Sequence, residues 1–231
     1  MSAEQLDTFG QTGSEVKERD PTGSLEAIVG CMFSGKTDEL LKRTRRVQIS
    51  VDILVSRGEL DKDIAEEVVL IFKPKIEDRY SKDKVDSHSG SSSDAKVIDQ
   101  DNPRDILTYV TDHTRVVAVD EAQFFDDKLV GLCHELADSG IRVIVAGLDT
   151  DFRGETFGHM GDLVAQADKT EKFTAVCMVC AQNNATRTQR FIVKDGERRP
   201  AFYEDPVVVV GADELYEARC RKHHEVPKRD G

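Results

Sequence analysis

Between residues 30 and 37 the chain reads Gly30-Cys31-Met32-Phe33-Ser34-Gly35-Lys36-Thr37, a full match to G-x-x-x-x-G-K-[ST]. No other stretch limits the fold so tightly. Glycines let the backbone curl until successive N–H groups face inward, which makes a concave seat for phosphate oxygens. The seat works when a strand delivers the loop and a helix leaves it, because the helix N-terminus adds its positive end. The flanks fit. Leu25 to Val29 is a mostly apolar strand candidate, and Asp38 to Val47 can form a helix with Lys42, Arg43, Arg45 and Arg46 in its later half. Cations there meet the negative end of the helix dipole. In this setting Lys36 reaches the β- and γ-phosphates of a nucleotide, and the Thr37 hydroxyl ligates Mg²⁺.

Further apolar runs follow at Val68–Phe72, Arg115–Asp120 and Ile141–Leu148. Between the last two, Leu129, Leu132, Cys133, Leu136 and Ala137 repeat at helical spacing, with Gly140 as a stop. Asn102-Pro103 opens another helix candidate through Val110. Strands alternating with helices predict an α/β fold of the P-loop NTPase type, a mainly parallel sheet with helices on both faces. After about Asp168 the texture changes to strand-like pieces at Phe173–Val176, Arg190–Val193 and Val207–Val210, with a turn at Asp195-Gly196. The expected organisation is a mobile tail over 1–23, a P-loop α/β domain over 24–168 and a small strand-and-loop module over 169–231. Residues 79–96, with Gly90-Ser91-Ser92-Ser93 at the centre, read as a flexible loop.

Two clusters carry chemistry beyond the loop. Val116-Val117-Ala118-Val119-Asp120 is an apolar strand with a carboxylate at its end, where a P-loop enzyme holds its second Mg²⁺ ligand. Glu121 follows and faces the same crevice, either as a base or as a solvated turn carboxylate. Cys177-x-x-Cys180 and Cys220-x-x-His223 lie 39 residues apart and suit a tetrahedral structural Zn²⁺. His224 rivals His223, and the spacing favours His223. Cys133, on the apolar helix face, reads as a core residue.

A net charge of −12 argues against a broad nucleic-acid surface. No apolar run approaches the ~20 residues of a membrane span. The segment 1–22 has no apolar signal core, and five cysteines without an export signal read as thiols or metal ligands. The expectation is a protein of a reducing, cytoplasmic compartment with no nucleic-acid or membrane partner.

Taken together, these pieces resemble the type II, zinc-containing thymidine kinases. The carrying segments are Met32–Leu41, Asp120-Glu121-Ala122-Gln123-Phe124-Phe125, Leu148-Asp149-Thr150-Asp151-Phe152, Gly211–Cys220 and the two metal pairs, in family order over roughly 24–226. The resemblance implies phosphorylation of thymidine at its 5′-hydroxyl by ATP. It implies Glu121 as catalytic base, Asp120 as the Mg²⁺-associated carboxylate, and Arg79 and Gln123 on the phosphate side. It implies Met32, Phe124 and Phe152 around the thymine ring. Thr188 to Gly211 corresponds to a closing loop, whose Val207, Val208, Val209, Val210 and Gly211, with Tyr216, face the nucleoside. A dTTP feedback inhibitor and a homotetramer are further implications.

The chain departs from the family pattern in two places. Residues 50–67 look longer than the usual connection and, being strongly charged, read as a solvated surface insertion. The closing loop between Arg190 and Asp205 also looks extended, so neither Thr188 nor Arg190 is given a catalytic role. The alternatives are a P-loop kinase for another deoxynucleoside, and a nucleotide-dependent switch built on residues 79–96.

Overall fold

Unbroken apolar strands must bury both of their faces, and a parallel sheet between two helical layers provides that. The computed structural model describes residues 23–76, 84–86, 92–194, 196–208 and 215–229, with backbone only for 84–86 and 92. Its main sheet contains β1 (Ser24–Gly30), β2 (Val69–Pro74), β5 (Lys96–Ile98), β6 (Val116–Val119), β7 (Arg142–Gly147) and β8 (Lys169–Phe173). The order is β5-β2-β6-β7-β1-β8, and every neighbouring pair is parallel.

Alternate residues on the central strands point to opposite layers. Leu25, Ala27 and Val29 of β1 join Val117, Val119, Val143 and Val145 on one face. There they meet α3 (Lys128–Asp138) through Leu129, Leu132, Cys133 and Leu136, and α4 (Met160–Gln166) through Met160 and Leu163. Ile28, Val116, Ala118, Ile144 and Ala146 form the other face, against Leu40 and Leu41 of α1 (Lys36–Ser56). Each fully buried Val, Leu, Ile or Met among them contributes roughly 1.5–3 kcal/mol. An exposed pair such as Arg104–Glu135 contributes about 0–1 kcal/mol, so packing decides where α3 sits. Burial pushes the Cys133 thiol up to about 12, as befits an inert core residue.

The differences from expectation have physical causes. The first helix does not stop at Val47. It runs to Ser56 and packs Val51 against Ala65 and Val68 of α2 (Lys62–Val68), so the 50–67 insertion has a small core of its own beneath its charged surface. Asp61 caps α2 by accepting from the Asp63 amide at 2.8 Å. Pro103–Thr108 forms a 3₁₀ helix rather than an α-helix. β8 begins four residues before the expected strand, because an exposed edge strand shows no apolar run. Part of the 79–96 stretch is not loop: β3 (Lys84–Asp86) and β4 (Ser92–Asp94) pair antiparallel. Beyond the main sheet, β9 (Arg187–Lys194) lies between β10 (Glu197–Pro200) and β11 (Tyr216–Arg219), all antiparallel. β10, not Val207–Val210, therefore answers the turn at Gly196, and the described residues Val207 and Val208 lie outside any strand. No helix among the described residues is long and apolar enough to cross a membrane.

One buried charge cluster ties the first helix to the sheet. The Arg43 guanidinium donates to Glu26 at 2.7 Å, Glu39 at 2.9 Å and Glu171 at 2.6 Å, and Arg142 donates to Glu26 at 2.6 Å. Burial alone would raise the Glu26 pKa, but Arg142 and Arg43 outweigh it and hold the carboxyl below its ordinary value. A depressed pKa adds stability above the unfolded pKa, which is lost as pH falls through the folded one. Arg43→Ala is expected to destabilise the protein by about 3 kcal/mol in urea unfolding at neutral pH, since it strips a partner from a buried carboxylate. The gap to wild type should narrow as the pH falls below the carboxylate range.

Candidate functional site

The bend after β1 accepts only glycine. Gly30 has φ +146°, and a Cβ there would lie 2.4 Å from the Phe173 carbonyl oxygen on β8 and 2.9 Å from Ser34 Oγ. Gly35, at φ +84°, turns the chain into α1 in the left-handed region. Lys36 follows with its ammonium donating to the Cys31 carbonyl at 2.9 Å. Burial lowers the Lys36 pKa, opposed by the charges of Glu121 and Asp120.

The neighbouring strand end supplies the acids. Thr37 Oγ1 donates to Asp120 Oδ2 at 3.1 Å, and the Glu121 amide donates to Asp120 Oδ1 at 3.0 Å. Burial, then the adjacent Glu121 charge, push the Asp120 carboxyl up to about 7. A buried carboxylate facing a hydroxyl and a lysine suits a divalent cation, whose charge would favour the ionised form. Thr37 and Asp120 fit Mg²⁺ on that ground. Glu121 sits in the left-handed region at φ +51°, uncommon for a non-glycine residue and frequent at functional sites. Its carboxylate accepts from Gln123 Nε2 at 2.5 Å, while Gln123 Oε1 accepts from the Leu148 amide at 3.0 Å. Gln123, expected on the phosphate side, thus has both polar ends engaged in holding Glu121 against β7.

A cleft of about 410 Å³ runs from the phosphate loop to an apolar end. Met32, Phe33, Gly35, Lys36, Thr37, Asp120, Glu121 and Gln123 line it together with Phe124, Phe152, Val207, Val208 and Tyr216. The structure therefore brings most of the expected residues into one cavity. Gly30, Cys31 and Ser34 shape the loop from behind, and Cys31 Sγ donates to the Ala185 carbonyl at 3.3 Å. Arg79, Val209, Val210 and Gly211 lie outside the described residues. Phe157, which meets Phe124 edge-on at 5.4 Å, has no signal in the sequence, because it sits in an irregular loop without periodicity. Thr188 also lines the cleft, and its hydroxyl accepts from the Met32 amide at 3.1 Å.

Behind the loop lies a second cluster. Ligand atoms of Cys177, Cys180, Cys220 and His223 all fall within 4.8 Å of one another, and His223 Nδ1 is 3.2 Å from Cys220 Sγ and 3.6 Å from Cys177 Sγ. His224 turns away and meets the Phe152 carbonyl at 2.8 Å. Burial opposes ionisation of Cys177, but the Cys180, Cys220 and Val179 amides and the His223 imidazole outweigh it and bring the thiol down to about 5. Three sulfurs and one imidazole converging this closely match the donor set of a tetrahedral metal site.

A strand–glycine loop–helix unit, a lysine and threonine on the loop, and an acidic pair on the adjacent strand end define a P-loop phosphotransferase. The thymidine kinase family model matches residues 23–224, and the chain belongs to that family, which makes it a nucleoside kinase. Among solved structures it shows a distant likeness to the genome packaging NTPase B204 from Sulfolobus turreted icosahedral virus 2, a complex with ATP-gammaS. The likeness has a TM-score of 0.36 and 17% identity, over 68% of this chain and 76% of that one.

Elemental analysis of purified protein should find about one tightly held metal ion per chain, as the four-ligand cluster requires. Cys220→Ser should lose it, and chelation should speed hydrogen exchange in residues 177–194 and 215–223 before it affects β6 and β7. A metal-free protein with unchanged exchange there would remove the cluster from consideration as a metal centre.

Proposed function

We propose that the protein transfers the γ-phosphoryl group of ATP to the 5′-hydroxyl of thymidine. The observation that carries this reading is the placement of Glu121. Its carboxylate lines the same cleft as Lys36 at one end and Phe124, Phe152 and Tyr216 at the other. A hydroxyl on a ligand spanning the two ends would pass beside it. The volume suits a small organic ligand, and the flat apolar end suits a pyrimidine. The family's name supplies the choice of thymidine.

In this mechanism the loop amides and Lys36 hold the donor phosphates. Thr37 and Asp120 would hold Mg²⁺, which neutralises charge developing on the phosphoryl oxygens. Glu121, steadied by Gln123, orients the 5′-hydroxyl and accepts its proton as the nucleophile attacks. Positioning and electrostatics supply most of the acceleration in such transfers. The four-ligand cluster would hold Zn²⁺ in a structural role, fixing the ends of the closing loop. Two functional units follow, an α/β body over 24–168 and a zinc-binding module over 169–231, whose first strand, β8, completes the body's sheet.

The direct test is an acceptor screen with labelled ATP. Thymidine should be phosphorylated in clear preference to other nucleosides, and preference for another would overturn the substrate assignment. Glu121→Gln should keep nucleotide affinity and thermal stability but lose about 10²–10⁴ in kcat. Near wild-type turnover in that variant would show that Glu121 is not the base.

A further inference from the structure

Past the last metal ligand the chain turns back over the outer side of the cleft's apolar end. His224 Nε2 donates to the Phe152 carbonyl at 2.8 Å. The Glu225 amide donates to Gln189 Oε1 at 2.7 Å, and Gln189 Nε2 returns a bond to the Glu225 carbonyl at 2.8 Å, so a buried side chain on β9 pairs with one backbone unit as a strand would. The Tyr203 amide donates to the Pro227 carbonyl at 2.8 Å. Arg229 donates through its amide to Glu204 at 3.1 Å and through Nη2 to Asp205 Oδ1 at 2.5 Å.

Asp205 is the joint between outside and inside. It is 7% exposed, and its other oxygen accepts from the Phe202 amide at 2.9 Å and lies 4.0 Å from Arg190 Nη2. Arg190, 1% exposed, donates Nη1 to the Pro206 carbonyl and stacks its guanidinium 4.3 Å from the centre of the Phe152 ring. A continuous line thus runs Arg229–Asp205–Arg190–Phe152. Val207 and Val208, the next residues along, line the cleft.

We propose that residues 224–229 form a strap that holds the nucleoside-facing wall in its binding shape. Arg190, Asp205 and Arg229 are positioning residues that set nucleoside affinity without touching the nucleoside. The wall, 201–208, is outside any strand, and segments without regular pairing open most easily. A ligand that must select the closed form binds more weakly by the fraction of protein in that form. Fixing the wall beforehand removes that loss. The strap's hydrogen bonds reach Phe152, Gln189 and residues 203–205, and Arg229 lies 5.4 Å from the centre of the Phe202 ring, so its influence falls chiefly on the acceptor end.

This inference rests on the apolar end being the nucleoside pocket, and the test separates the two. Arg229→Ala, Arg229→Lys and a deletion of residues 225–231 are compared with the full chain. The readouts are the KM for thymidine, the KM for ATP, kcat, bound metal, and hydrogen exchange of amides 201–208. Arg229→Ala should raise the thymidine KM about tenfold and speed exchange at 201–208, with metal retained and the ATP KM and kcat within about twofold. The deletion should do more, and Arg229→Lys should recover part. If the deletion loses its metal, Arg229→Ala alone decides. Unchanged thymidine KM and unchanged exchange would overturn the strap, as would equal rises in both KM values. If the full chain does not phosphorylate thymidine, the pocket reading falls, and exchange at 201–208 still decides for or against the strap.

Discussion

Backbone amides can converge on a phosphate only where the chain bends more sharply than a side chain allows, and the rest of the molecule is arranged around that bend. At Gly30 the β8 backbone approaches so closely that a single added carbon would collide with the Phe173 carbonyl. The loop is held from behind as well as from below. Cys31 packs with Ala175, Cys177, Ala185, Ala218 and Cys220, so the phosphate loop shares a small core with the metal cluster. Met32 donates its amide to Thr188 on β9. The phosphate loop and the C-terminal module are therefore one packed unit, although they lie far apart in the chain.

The electrostatics of the cleft follow from burial. Asp120 and Lys36 sit beside Glu121, and burial makes the charged form of each of those two cost desolvation. Burial shifts Asp120 upward and Lys36 downward, the directions that reduce unpaired charge before ligands arrive. Gln123 has a separate task. By engaging both Glu121 and Leu148 it fixes the Glu121 carboxylate to the end of β7 without adding another charge.

How much of this the sequence revealed depended on whether a residue's role is local. The phosphate loop, the acid after β6 and the two metal pairs are set by short spacings, and the structure brings each group together. Buried strands announced themselves as apolar runs. β8 did not, because an edge strand with exposed side chains has no such pattern. α4 was missed because seven residues with two buried side chains give no usable period. The second core beneath the 50–67 insertion was obscured by the charges on its outer face, although Val51, Val55 and Val68 were present in the sequence. Gln123 reads from the sequence as a phosphate-side residue; its two bonds depend on how β6 and β7 sit side by side, which no local spacing encodes.

The C-terminal module shows why a metal centre and an arginine-rich surround belong together. Its buried cluster consists of three alanines and cysteines, with no large aliphatic side chain. Burying so few methyl groups, at roughly 0.8 kcal/mol per carbon, cannot fix a module of this size. A structural thiolate site can supply about 10–16 kcal/mol of apparent binding free energy, so an ion held by Cys177, Cys180, Cys220 and His223 would be the dominant stabiliser there. Beyond the β9 ladders, further order comes from guanidinium groups on aromatic faces. Arg198 lies 3.8 Å over Phe191, and Arg190 lies 4.3 Å over Phe152. Such contacts strengthen when water is excluded, and Arg190 is among the most buried residues of the protein. A wall built this way has no apolar core competing for its conformation. Its shape is set by a few directional contacts, and those contacts end on the Phe152 ring, which lines the cleft.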